Sequence, residues 1–281
     1  MKLDYKVEKE SILKDYLLEI GLSRRFCKRV KLYGKMYLNG EEVKNFVTVH
    51  PGDIITLEYV EDENEEILSK NVSLDIVYED DHILIINKPE GVTSQPSRLH
   101  YEDNIISYVK SYFQSKNFLT NIHVVTRLDF QTSGLMIIAK DGHTHYLLTR
   151  DNNLDVISIE KKYKAIVDGI LNKKEGIIDL PIDRKDPNSI LREVSETGKK
   201  AITEYKVMEE KKNKSLVEVK LHTGRTHQIR VHFSTLGYPV IGDKLYGVAD
   251  ERLMLHCYYL KFKNPYTDEI IEVKREPDFK L

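Results

Sequence analysis

Apolar side chains recur at helical spacing near the start of the chain. Ile12, Tyr16, Leu17 and Ile20 share one side and Gly21 offers a left-handed stop, which predicts a short amphipathic helix over 11–20. Ser23 is placed to cap a second helix. At about 100° per residue, Arg24, Arg25, Lys28, Arg29 and Lys31 gather in one arc opposite Phe26, Val30 and Tyr33, with Leu32 intruding on the basic side. Gly34 ends that helix. Met36 to Val43 then alternate around Asn39-Gly40, the signature of a tight hairpin, and Pro51-Gly52-Asp53 turns the chain into a strand over 54–59.

Past an acidic run at Glu61, Asp62, Glu63, Glu65 and Glu66, the pattern changes to short apolar strands separated by turns. The run is polar and aperiodic and is expected to be a solvated linker. Strands are predicted at Ile83–Asn87, Leu135–Ala139 and Tyr163–Val167, and from Ser215 to Leu221, where polarity alternates residue by residue. Helical spacing is rarer, at about 103–114, 142–151 and 227–236. Many strands, few helices and no regular βαβ alternation indicate an α+β fold with a mixed, mostly antiparallel sheet. The expected division is 1–60 as a small N-terminal α/β domain, 61–71 as the linker and 72–281 as the main domain.

Composition narrows the function classes only a little. The formal net charge is −2, and without the acidic run the remainder is only mildly basic, so a global basic field does not argue for nucleic acid and local clustering must. Cys27 and Cys257 lie far apart with no metal-type spacing, and the N-terminus has no charged-then-apolar leader. The expectation is a soluble cytoplasmic protein with reduced thiols. No apolar run approaches the roughly 18 residues that span a bilayer, so no membrane partner is expected.

Two segments carry the candidate chemistry. Arg127-Leu128-Asp129-Phe130-Gln131-Thr132-Ser133-Gly134 sets a carboxylate in a turn before an apolar strand, where Thr132 and Ser133 can bond local backbone and Gly134 permits close approach. Asp129 is either a nucleophile or a turn cap on this evidence. A nucleophilic carboxylate must stay ionised where water is excluded, which requires a nearby cation. Arg230, in Thr223-Gly224-Arg225-Thr226-His227-Gln228-Ile229-Arg230-Val231-His232, is the candidate. A helix starting at Thr226 puts His227, Arg230 and Ser234 on one face and Ile229, Phe233 and Leu236 towards the core, and a guanidinium can grip a carboxylate with two hydrogen bonds. Arg225, just before the helix, suits a phosphate. His222, His227 and His232 match no usual metal-ligand spacing, and His227 reads as a hydrogen-bonding element of the helix start.

Arg-Leu-Asp-x-x-Thr-Ser-Gly followed by Gly-Arg-Thr-His-Gln-Ile-Arg-Val-His resembles the RluA/RluD-type RNA pseudouridine synthases. Asn87-Lys88-Pro89-Glu90-Gly91 is similar to a further motif of that family, in which Lys88 supports the active-site wall. The resemblance implies Asp129 as the residue that attacks the target uridine and Arg230 as its charge partner. It implies that Tyr163 packs on the flipped uracil and assists proton removal, with Ile229 as the opposite wall. Arg127 is expected to enter the gap left by the base or to meet a phosphate. Thr126 stands where relatives usually carry His, a departure that bears on RNA positioning rather than on the reaction. Residues of about 10–58 resemble an S4 RNA-binding module, with Arg24, Arg25, Lys28, Arg29 and Lys31 as phosphate contacts.

The implied reaction isomerises a uridine within RNA: the glycosidic bond breaks, the base rotates and it rejoins through carbon 5. It needs no redox change and no external group, so no cofactor or metal is expected. The expected partner of this monomer is large-subunit (23S-type) ribosomal RNA or a pre-ribosomal particle, with transfer RNA as the alternative. A catalytically silent ribosome-associated RNA-binding protein predicts loss of Asp129, Tyr163 or Arg230, and all three are present. An aspartate-using hydrolase calls for a second acid beside Asp129, where Phe130 and Gln131 stand.

Overall fold

The structure is a computed structural model that describes residues 2–61, 64–97, 99–118, 120–150 and 159–281. Its first part holds β1 (Lys2–Lys6), β2 (Ser11–Ile12), α1 (Leu13–Glu19), α2 (Arg24–Tyr33), β3 (Lys35–Leu38), β4 (Glu41–Glu42), β5 (Thr48–Val49) and β6 (Ile54–Glu58). Ser23 caps α2 by accepting from Phe26 N at 3.1 Å. Asn39 and Gly40 take the positive φ values, 52° and 86°, that a tight β3–β4 hairpin needs. A sheet in the order β1-β6-β3-β4 packs on α1 and α2 around Leu13, Leu17, Val30, Ile55 and Leu57. Tyr33 departs from the expected core side and is 76% exposed, because it lies in the last turn of α2 beyond the reach of that sheet.

The rest comprises β7 (Ile76–Glu79), β8 (Ile83–Lys88), α3 (Ile105–Ser115), β9 (His123–Val124), β10 (Ser133–Ala139), α4 (Gly142–Thr149), β11 (Glu160–Asp168), β12 (Glu175–Asp179), β13 (Ile182–Arg184), β14 (Arg192–Val194), β15 (Ile202–Lys211), β16 (Lys214–Leu221), α5 (Gln228–Thr235), β17 (Leu255–Lys263) and β18 (Ile270–Lys274). The predicted end of the fourth helix at 151 lies outside the described residues. Among the described residues a ten-stranded sheet runs β12-β15-β16-β11-β17-β10-β8-β7, with β18 and β9 on its flanks. All its pairings are antiparallel except β10 with β17, where Ser133 faces His256 and Gly134 faces Cys257. β10 is buried along its whole length because both sheet faces are covered there. Leu135 and Ile137 join the core under α5, while Met136 and Ile138 join the core under α3, which explains an uninterrupted apolar strand in a mainly antiparallel sheet.

Glu61, the first acid of the expected solvated run, is buried instead. Its carboxylate accepts from Gly142 N at the start of α4 (3.0 Å) and meets His123 Nε2 at 2.8 Å and Arg29 Nη1 at 3.4 Å. An anion at a helix N-terminus is favoured by the unpaired N–H groups and the helix dipole. Phe26 of α2 stacks on His143 of α4 with ring centroids 4.4 Å apart, and the Tyr5 hydroxyl meets His143 Nε2 at 3.1 Å. Burial pushes the His143 pKa down to about 4, so the ring is neutral in this contact. Asp62 and Glu63 lie outside the described residues.

Candidate active site

Asp129 sits in the turn between β9 and β10, and the residues beside it are pinned from one side. Ser94 Oγ donates to Leu128 O (2.7 Å) and accepts from Leu128 N (3.1 Å), while Phe130 O receives Gly91 N at 2.9 Å and Lys88 Nζ at 3.3 Å. Thr132 N closes the turn on Asp129 O at 3.1 Å. Gly134 is required where β10 meets β17: its φ is +118°, and a Cβ would stand 2.3 Å from Cys257 O. Ser133 does not bond the local backbone as predicted. Its hydroxyl accepts from Arg252 Nη2 (2.9 Å) and meets His256 Nδ1 (2.9 Å), because the parallel pairing brings β17 to it.

The second segment arrives differently from the expectation. Helix α5 begins at Gln228 rather than Thr226, and His227 before it is left-handed at φ 58°. Buried Gln228 holds the preceding turn: its Oε1 accepts from Arg225 N and Thr223 Oγ1, both at 2.9 Å, and its Nε2 donates to Ile202 O and Thr203 Oγ1, both at 3.0 Å. Ile229 and Phe233 are buried as predicted, whereas Leu236 is exposed past the end of the helix.

Arg230 is 2% exposed and does approach Asp129, at 3.9 Å from Nη1 to Oδ2. The two-bond grip expected for Asp129 goes instead to Asp243, with Nε to Oδ2 and Nη2 to Oδ1 both at 2.7 Å. Burial pushes Asp243 up, but hydrogen bonds and charge from Arg230 outweigh it and hold its carboxyl below the usual range. Asp243 therefore aims the guanidinium and leaves Nη1 facing Asp129. His227 Nε2 lies 4.0 Å from the same carboxylate oxygen. Its Nδ1 meets the Tyr246 hydroxyl at 2.7 Å, and that hydroxyl accepts from Arg192 N at 2.8 Å, leaving its own proton to donate to Nδ1. The neutral ring then carries its proton on Nε2, towards Asp129. Burial lowers the His227 pKa, which keeps the ring neutral.

These groups open onto a cavity of about 360 Å³ lined by Arg127, Asp129, Tyr163, Arg225, Ile229 and Arg230, among others. Tyr163 is buried on β11, and burial holds its hydroxyl far above the ordinary phenol range. A protonated ring there can stack on a base, while proton removal by it asks for a change of state. Arg127 is exposed at the rim. Arg225 donates from Nε to Lys200 O (2.9 Å) and borders a second groove with Arg184, Arg192 and Lys199. Thr126 is buried, with Oγ1 accepting from Ile137 N at 2.8 Å, so it braces β10.

Lys88 supports the wall as expected but does not contact substrate as also expected, since it does not line the cavity. It is 0% exposed and donates to Pro89 O, Val92 O and Phe130 O, and burial lowers its pKa to about 7. It positions the Asp129 turn from behind. Arg29 is a correction, being drawn off the basic face to Glu61, whereas Arg24, Arg25, Lys28 and Lys31 are exposed. His222 pairs with Glu204 at 2.7 Å, and His232 is buried between Thr203 Oγ1 and Leu180 O. Sequence reasoning missed Ser94, Gln228, Asp243 and Tyr246. The one signal available was Gly242-Asp243 with Tyr246 three residues on, a turn whose aspartate accepts from Leu245 N and Tyr246 N.

The family model of RNA pseudouridylate synthases matches residues 82–235, more than half of the chain. The chain belongs to that family. The enzyme is 38% identical over 264 residues to an uncharacterized RNA pseudouridine synthase of Bacillus subtilis, YjbO, with 92% of each chain covered. It is 34% identical over 251 residues to ribosomal large subunit pseudouridine synthase D of Pseudomonas aeruginosa, covering 83% of this chain and 78% of that one. Among solved structures, human RNA pseudouridylate synthase domain containing 1 aligns with a TM-score of 0.62 and 27% identity, over 74% of this chain and 85% of that one. This pseudouridine synthase therefore acts on RNA. No helix among its described residues is long and apolar enough to cross a membrane.

Proposed function

We propose that this enzyme converts uridine to pseudouridine in large-subunit ribosomal RNA, with Asp129 as the nucleophile. The observation that carries the reading is one carboxylate facing a cavity while a buried, aspartate-anchored arginine stands 3.9 Å away. The Arg230 charge opposes neutralisation of Asp129 in the low-dielectric site, and Asp243 keeps that charge in place. Tyr163 and Ile229 supply the platform and wall for an extruded uracil, and Arg127 and Arg225 at the rim meet the RNA backbone. The large-subunit substrate is supported by the synthase D relatives. Residues 1–60 act as an S4-like RNA-binding module through Arg24, Arg25, Lys28 and Lys31, joined at 61–71 to the catalytic domain over 72–281. Carbodiimide mapping of RNA from cells with and without the gene is expected to lose at least one large-subunit signal, and Asp129→Asn to lose the same signal while RNA binding persists. An unchanged map refutes the substrate, and retained isomerisation by Asp129→Asn removes the nucleophile.

A further inference from the structure

One further charged group lines the cavity. Lys161 lies on β11 two residues before Tyr163, and side chains two apart on a strand share a face. Lys162 and Lys164 point to the other face, where they lie over the Tyr259 and Tyr258 rings. Lys161 instead lines the cavity together with Asp129, Tyr163 and Ile229. Most cations near the site are engaged: Arg230 by Asp243, Lys88 by three carbonyls, Arg225 by Lys200 O, and Lys162 by Glu218 at 3.6 Å. The Lys161 side chain has no ion pair or hydrogen bond among the described residues. Burial alone drives its pKa down, opposed only by nearby Cys257. An ammonium that faces the cavity with no acceptor from the protein has its donors directed at whatever enters there.

The reaction creates an anion there. When the bond between the sugar and N1 breaks, its electron pair stays with the base and spreads over the ring nitrogen and the two carbonyl oxygens. Attack at ring carbon 6 would instead place negative charge on the oxygen of carbon 4. We propose that Lys161 is a catalytic residue whose ammonium hydrogen-bonds a uracil carbonyl oxygen and stabilises the detached, anionic base while it turns to present carbon 5. No proton leaves the lysine: the electrons of the base form the new bond between carbon 5 and the sugar, the bond to Asp129 breaks to return its carboxylate, and the proton lost from carbon 5 is matched by one taken up at N1. Preorganised charge aimed at oxygen that becomes negative only during reaction raises turnover more than it tightens binding. Where the contacted oxygen is the one on carbon 4, the contact also distinguishes uracil from cytosine, which carries an amino donor there.

The inference rests on the isomerase reading, so the test is run on the full-length enzyme with an unmodified large-subunit ribosomal RNA transcript tritiated at uridine carbon 5. Tritium release by the wild type and its absence in Asp129→Asn test the reading itself. Lys161→Met is expected to lower the saturating single-turnover rate roughly 10²–10³-fold, with RNA affinity within about twofold and an unchanged melting temperature. Lys161→Arg keeps a permanent cation and is expected to restore most of the rate. The wild-type rate is expected to fall at alkaline pH as the lysine loses its proton, and that limb to shift upward in Lys161→Arg. A Lys161→Met rate within threefold of wild type overturns the inference. So does a loss confined to affinity, or an alkaline limb identical in the arginine variant.

Discussion

Asp243 lies in no recognisable motif, yet the geometry makes Asp243→Asn the most informative substitution. Its carboxylate is fully buried against an arginine that is 2% exposed. Asparagine keeps one carbonyl oxygen for Leu245 N and Tyr246 N but turns an amide donor towards the donating Arg230 fork. Breaking a buried ion pair costs about 3–5 kcal/mol, and the retained backbone bonds place this case near 3. For a chain of this size that is a fall in melting temperature of roughly 6–12 °C. Loss of the fork also releases Nη1 from its station near Asp129, and misplacement by about 1 Å costs on the order of 10²-fold in rate. Arg230→Met combined with Asp243→Leu replaces the pair by apolar volume. It is expected to melt within about 1 kcal/mol of wild type while remaining inactive. Thermal denaturation and tritium release measure the two effects separately. An Asp243→Asn enzyme that melts and turns over like wild type, or a double variant that is active, refutes the argument that Asp243 acts by aiming Arg230.

Gly134→Ala drives a Cβ into the Cys257 backbone at a φ that L residues rarely adopt, so a loss above about 4 kcal/mol and poor soluble yield are expected; a melting temperature within 2 °C of wild type contradicts it. His143 is buried neutral with a pKa of about 4 in the folded state, against about 6.5 unfolded. Its contribution is therefore complete above about pH 6.5 and is lost as pH falls towards 4, by at most about 3 kcal/mol. Denaturant titrations across that range should show a smaller loss for His143→Gln. Replacing Arg24, Arg25, Lys28 and Lys31 together by alanine should shrink the slope of log affinity against log salt by about 3, leaving the rate at saturating RNA intact; an unchanged slope removes the basic face from RNA contact.

What was legible in the sequence is what short-range physics decides. Ser23, Asn39-Gly40 and the apolar run after Ser133 each fix their conformation through neighbours, and each element stands within a residue or two of its expected place. Asp129 and Arg230 were found as a pair because their surroundings are distinctive, but the partner of the guanidinium was not. Asp243 is one acid among many until the fold brings the 240s under α5. Glu61 failed for the same reason, since an acidic run looks solvated unless a helix N-terminus is waiting for its first member. Lys88 was placed in the wall, and only coordinates show three carbonyls absorbing its donors.

The stacking of Phe26 on His143, locked by Glu61, gives the molecule the character of a caliper. The basic surface of α2 and the mouth of the cavity are jaws held at a set opening. An RNA that touched both would have to offer its phosphates and its unstacked uridine at that span, so altering the fold of the RNA is expected to cost more activity than exchanging the bases beside the uridine.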